Sequence, residues 1–226
     1  MDFSSLADAE KMVKVLSPAV KIFKVGKELF TSAGPQAVEM IHSYRCQTFL
    51  DLKFHDIPNT VGAACAAAVR LKVFMLNVHS SGGKNMLFKA VQCAHEAAAK
   101  EKIPPPILLG VTVLTSLTDR DLKEVGINKK LEKQAQDLAL LAKSCGLDGV
   151  VASGQETEMI RKATGPDFKI VTPGVRPVWT AHGDQKRVMT PKEAIEKGAD
   201  YIVVGRPITE NPNALEAAKK ILEEIS

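Results

Sequence analysis

Cysteine is sparse: four residues in 226 (Cys46, Cys65, Cys93 and Cys145), far apart and without paired spacing. That argues against a zinc ribbon, a redox motif or a disulfide scaffold, and suits a cytoplasmic chain with reduced thiols. Long hydrophobic runs are missing too. The most apolar stretches, such as 62–69 and 107–110, fall far short of the roughly 20 residues that a bilayer demands, so no membrane partner is expected. The opening Met-Asp-Phe-Ser-Ser has no basic or apolar leader region, and no signal peptide is expected. Charge of one sign is scarce as well. Thirty Lys+Arg against 26 Asp+Glu leave +4, an excess that could favour a small anionic ligand but is too scattered for nucleic acid. No Gly-x-Gly-x-x-Gly follows the early apolar runs, which weakens a dinucleotide-binding reading. Linkers and low-complexity tracts are absent.

What is present is ordinary globular material. With 45% apolar and 25% charged residues, disorder is not the default, and the chain is long enough to bury a core without staples. Short runs rich in Val, Ile and Phe lie at 20–25, 48–54, 73–78, 107–114, 149–152, 169–172 and 201–204. Several are apolar almost throughout, as strands buried on both faces of a parallel sheet should be. Amphipathic stretches alternate with them. Residues 5–16 place Leu6, Ala9, Val13 and Leu16 on one face, and 130–145 does so with Leu131, Ala135, Leu138, Leu141 and Ala142. Residues 212–225 read likewise, with Asn211 as the cap before a first-turn proline. The alternation predicts an α/β fold with a parallel sheet, either doubly wound and open or a closed (β/α)8 barrel. Seven strands are countable; the barrel closes if Met1-Asp2 is the tail of a first one.

The segment Asp51-Leu52-Lys53-Phe54-His55-Asp56-Ile57-Pro58-Asn59-Thr60 is the most informative. Asp51 and Lys53, two apart at a strand end, should point to one side, and in a barrel the carboxyl end of the strands carries the active site. A structural ion pair at the barrel mouth is the plain alternative. Lys24 closes the preceding strand in the same way, and two strand-end lysines around one aspartate favour a site, because unpaired charge there is costly. Asp56 precedes Ile57-Pro58, and from the residues alone an N-cap is the better reading. His55 receives no role. His79, another strand-end residue, reads as a group that orients neighbours.

Two turns in the last third, Thr172-Pro173-Gly174-Val175-Arg176-Pro177 and Val203-Val204-Gly205-Arg206-Pro207, follow consecutive strands. Glycine lets a backbone approach a phosphate and arginine offers a bidentate donor, so the pair reads as a phosphate grip; plain surface turns are the alternative. Residues 177–190 read as a long loop able to close over a ligand.

On these residues the chain resembles orotidine 5′-monophosphate decarboxylase of the bacterial type. The resemblance spans essentially the whole sequence. It rests on Phe23-Lys24-Val25-Gly26, the 51–60 block, Gly110-Val111-Thr112-Val113-Leu114-Thr115-Ser116, the 172–176 turn, Asp184-Gln185-Lys186-Arg187-Val188-Met189-Thr190-Pro191 and Val204-Gly205-Arg206-Pro207. It implies one (β/α)8-barrel domain over 1–226, a homodimer, converting orotidine 5′-monophosphate to UMP in pyrimidine biosynthesis with neither metal nor organic cofactor. By the same resemblance Lys24, Asp51, Lys53 and Asp56 form an alternating charge array. Lys53 is the acid that protonates C6 as CO2 leaves, Asp51 sits against the substrate carboxylate, and Lys24 holds Asp51 and the ribose hydroxyls. Asp56 and Thr60 reach the neighbouring subunit's site, which overturns the N-cap reading. Asp2 contacts the ribose and Thr115 the pyrimidine edge. Arg176, Gln185, Gly205 and Arg206 grip the phosphate side.

Two rivals compete. Hexulose-phosphate synthases and ketogulonate-phosphate decarboxylases share an Asp-x-Lys-x-x-Asp block but use magnesium, with an acidic residue in place of Lys24, and a lysine is a poor magnesium ligand. A non-catalytic nucleotide-phosphate binder is the other, and phosphate binding alone does not call for the lysine–aspartate array. Finally, 226 residues is short against the roughly 250 typical of the fold. Much of that shortness falls before Asp2, so a first strand that is absent or very short is expected. It leaves edges on the strands at 20–25 and 201–204.

Overall fold

A computed structural model describes residues 1–180 and 189–226. Seven strands run β1 Ile22–Val25, β2 Gln47–Phe54, β3 Met75–His79, β4 Ile107–Val111, β5 Gly149–Val151, β6 Lys169–Pro173 and β7 Tyr201–Val203. All neighbours are parallel and follow chain order, the signature of a barrel wound in one direction. The helices are α1 Leu6–Leu16, α2 Lys27–Ala33, α3 Gln36–Ser43, α4 Pro58–Arg70, α5 Gly83–Glu101, α6 Asp119–Glu124, α7 Leu131–Ser144, α8 Gly154–Thr164, α9 Pro191–Glu196, α10 Arg206–Thr209 and α11 Ala214–Glu224.

Strand alternation sorts the apolar residues into two cores. Phe49, Met75, Leu109, Val111, Val151 and Val171 point inward and fill the barrel floor. Their neighbours Val25, Leu50, Leu76, Leu108, Val150 and Ile170 point outward beneath the helices. Each fully buried side chain of this kind contributes roughly 1.5–3 kcal/mol. Because the period is two, the inward positions beyond the floor are forced: Lys24 follows Ile22, Asp51 follows Phe49, and Asn77 follows Met75. The floor is apolar and the mouth is polar.

The seven expected strands are all present, and the helices at 5–16 and 130–145 match α1 and α7 within a residue at each end. Ser5 caps α1 by accepting the Asp8 N–H. Two expectations are corrected. The 107–114 run stops as a strand at Val111, where Thr112 turns its N–H and hydroxyl onto the Val151 carbonyl. The last helix begins two residues late, with Asn213 rather than Asn211 as its cap; Asn211 instead accepts the Asn213 N–H at 2.9 Å. Met1-Asp2 forms no strand, in keeping with the expected absent or very short first strand, although the Met1 amino group donates to the Lys24 carbonyl at 2.6 Å. Among the described residues β1 and β7 are not paired, so the described ring has a seam there. No described helix is long and apolar enough to cross a membrane.

Candidate active site

Asp51 sits at the centre of the mouth. Its Oδ1 accepts from Lys53 Nζ at 2.6 Å and from Asn77 Nδ2 at 2.7 Å, and its Oδ2 lies 3.2 Å from Lys24 Nζ. Lys24 also reaches Asp2 Oδ1 at 3.3 Å. Gly26, the N-cap of α2, leaves room for this crowding: a Cβ there would lie 2.4 Å from Asp2 Oδ1 and 3.2 Å from Lys24 Nζ, so both side-chain ends would have to shift.

Asp51 and Lys53 meet, but not through simple strand alternation. From Leu50 to Phe54 β2 advances four residues while β3 advances two, from Leu76 to Val78. The excess is a bulge, a device that re-aims side chains at strand ends. Within it Lys53 adopts φ +53°, a left-handed conformation that costs a residue with a Cβ about 1–2 kcal/mol. The Lys53 N–H leaves the ladder and donates to Asn77 Oδ1 at 2.8 Å.

Burial pushes the Asp51 carboxyl up, but Lys24, Lys53 and the Asn77 amide outweigh it and hold the group below the usual aspartate value. Half-buried His79 stacks at a tilt on His55, with ring centres 5.3 Å apart. Burial, then His55, Lys27 and Lys53, push its pKa down to about 4, against the pull of Asp51.

A cavity of about 730 Å³ opens from this cluster. Asp2, Lys24 and Asp51 line one side, Arg176, Gly205 and Arg206 the other, and Phe49, Met75 and Val171 the floor. Arg176 follows β6 and is buried, its N–H bound to the Met189 carbonyl. Gly174 turns the chain before it at φ +74°. Gly205 is exposed with open space around it, and Arg206 starts α10. The structure therefore gathers six of the expected residues around one space; Lys53 does not line it and joins the site through Asp51, at 2.6 Å.

The rest lie apart from it. Asp56 is exposed and is not the N-cap of α4; that place belongs to Ile57, whose N–H the Asp56 carboxylate accepts at 2.6 Å. Thr60, in the first turn of α4, is exposed, and neither it nor Thr115, in the turn after β4, lines the cavity. Gln185 lies outside the described residues, as does most of the loop at 177–190; its end is described, where Thr190 and Glu193 form the capping box of α9. Asn77 went unnoticed in the sequence, although a lone amide inside an apolar strand run is the signal that could have found it. Among the described residues no three His, Cys, Asp or Glu side chains cluster so as to hold a metal ion.

Comparison with known proteins follows the same outline. Residues 1–221 match the model of the orotidine 5′-phosphate decarboxylase / HUMPS family. Orotidine 5′-phosphate decarboxylase of Moorella thermoacetica is 54% identical over all of this chain and 90% of its own length. The enzyme of that name from Syntrophotalea carbinolica is 50% identical, over 93% of its length. Among solved structures, orotidine 5′-phosphate decarboxylase from Lactobacillus acidophilus superposes with a TM-score of 0.88 at 36% identity, covering 100% of this chain and 96% of that one.

Proposed function

The chain belongs to the orotidine 5′-phosphate decarboxylase / HUMPS family, and from that premise we propose that it decarboxylates orotidine 5′-monophosphate to UMP in pyrimidine biosynthesis. The observation that carries the reading is a cationic pair locked on one carboxylate, Lys53 at 2.6 Å and Lys24 at 3.2 Å from Asp51, with Lys24 and Asp51 lining the same cavity as Arg176 and Arg206.

Loss of CO2 leaves an electron pair on C6 of the pyrimidine. The Lys53 ammonium, placed against that carbon, stabilises the developing charge and then passes a proton from Nζ to C6. Asp51 holds Lys53 in place and lies against the departing carboxylate, so their repulsion is relieved as the bond breaks. Lys24 bridges Asp51 and Asp2 towards the ribose, and Thr115 takes the pyrimidine edge. Arg176, Arg206, the Gly205 backbone and Gln185 take the phosphate, whose binding energy is then available to organise the remote reacting centre. Asp56 and Thr60, both exposed, complete the site of a second subunit in a cytoplasmic homodimer of single-domain barrels spanning 1–226.

The test follows the orotate absorbance with purified protein and orotidine 5′-monophosphate. Turnover by the parent and a loss of at least ~10³-fold in Lys53→Ala are expected. A near-parental Lys53→Ala removes the role given to Lys53. Activity abolished by a chelator and restored by magnesium points to the magnesium-dependent branch of the family instead. Mixing Asp56→Ala with Lys53→Ala subunits should recover part of the activity if sites are shared.

A further inference from the structure

We infer that Asn77 is a positioning residue for the decarboxylation, one side chain that sets both the backbone of Lys53 and the carboxylate of Asp51. The inference rests on the decarboxylase reading above. Asn77 is fully buried in β3, one inward layer above Met75, between the apolar residues Leu76 and Val78. A primary amide is an expensive occupant of such a place unless both its ends are used.

Here the two ends do different work. Oδ1 accepts the Lys53 N–H at 2.8 Å, and Nδ2 donates to Asp51 Oδ1 at 2.7 Å. Only this orientation is possible, because the reverse sets a carbonyl against a carboxylate and an NH2 against an N–H. The first bond serves a backbone group that the bulge has taken off the ladder, at a residue held at φ +53°. Without that acceptor the half-buried N–H has no reason to stay where it is, and an extended Lys53 aims its ammonium elsewhere. The second bond lands on the oxygen that Lys53 Nζ also contacts, so it fixes the carboxylate plane and helps keep it ionised. Asn77 thus couples the direction of the proton donor to the charge of its partner, from a strand that carries neither.

Two substitutions separate the ends. Asn77→Ala removes both bonds. Asn77→Asp keeps an acceptor for the Lys53 N–H but turns a second carboxyl onto Asp51, and two carboxyls so close must share a proton. In Asn77→Ala we expect kcat to fall ~100-fold, as a small misplacement of a reacting group does, with KM within about threefold. The acid limb of the kcat/KM profile should rise by about one pH unit as Asp51 loses a donor, and further in Asn77→Asp. Asn77→Asp should melt closer to the parent than Asn77→Ala.

Parental kcat and pH profile in both variants overturn the inference. So does lost turnover that merely tracks lost thermal stability while the acid limb stays put. Should the parent not turn over orotidine 5′-monophosphate, the decarboxylase reading falls, and the Asp51 carboxyl is titrated by carbon NMR in ligand-free protein. A midpoint that rises in Asn77→Ala keeps the coupling; an unmoved midpoint ends it.

Discussion

At the amino-terminal ends of the strands Arg161 of α8 reaches Asp200, while at the carboxyl ends Lys24 and Lys53 share Asp51. The two clusters are buried to a similar degree, with side-chain exposure of 21% for both Arg161 and Asp200 against 18, 11 and 23% for Lys24, Asp51 and Lys53. Their construction is opposite. Arg161 spends its guanidinium on the carbonyls of Gly165, Pro166, Phe168 and Gly198 as well as on Asp200. Asp200 in turn accepts the Ile170 N–H at 2.8 Å, so the cluster ties backbone to backbone across α8, β6 and the start of β7. The upper cluster ties side chain to side chain, faces a cavity through Lys24 and Asp51, and stands on a residue with positive φ; two cations on one carboxylate are common to both, since Lys169 reaches Asp200 at 3.3 Å. A brace is recognised by backbone partners and relaxed geometry. A site is recognised by surplus charge facing a cavity and by strain.

That contrast can be broken at either end. The largest effect is expected in Lys53→Ala and Lys53→Gly, which should each cost at least ~10³-fold in turnover, with the glycine variant about 1 kcal/mol more stable than the alanine one, because glycine tolerates the left-handed backbone while both lose the ion pair to Asp51. Urea unfolding beside steady-state kinetics reads both; a glycine variant no more stable than the alanine one would show that the positive φ stores nothing. Next, Arg161→Ala should lower stability by about 3 kcal/mol, leaving several carbonyls without their donor and Asp200 to Lys169 and the Ile170 N–H, while turnover per folded molecule stays within about twofold. A selective loss of turnover would make the lower cluster more than a brace. The smallest effect concerns His79. Its pKa falls from 6.5 unfolded to about 4 folded, so the fold favours the neutral ring. The stability this adds is complete above pH 6.5 and is lost as pH drops from 6.5 towards about 4. His79→Gln should flatten that slope in thermal melts taken across the window, and an unchanged slope would place the titration elsewhere.

Much of this molecule is legible in its sequence because period and position act locally. Continuous apolar runs marked all seven strands, and the 3.6-residue spacing of Leu131, Ala135, Leu138 and Ala142 marked α7. The strand-end charges Lys24, Asp51 and Lys53 stood out because charge is rare beside such runs. What stayed hidden depends on contacts between distant segments. Arg161 and Asp200 are 39 residues apart, and nothing in either neighbourhood names the other. Asn77 lies 26 residues from Asp51, and its amide was absorbed into an apolar run. Asn211 and Asn213 flank Pro212 with the same capping chemistry, so only the geometry of the turn decides between them. The bulge in β2 was equally invisible, since period two already predicted that Asp51 and Lys53 would meet.

Among the described residues β1 and β7 are not paired, which leaves the ring two ends. A closed barrel has nowhere to start opening, whereas this one can peel from either edge, so amide hydrogen exchange should be fastest along β1 and β7 and slowest in β3 and β4 opposite. Lys24 ends one edge strand, and Gly205 and Arg206 follow the other, with the cavity between them. A nucleotide held by both sides acts as a clasp across the gap. Its protection should therefore appear first in the backbone of these two strands, and the tightness of binding becomes a measure of how firmly the ring is shut.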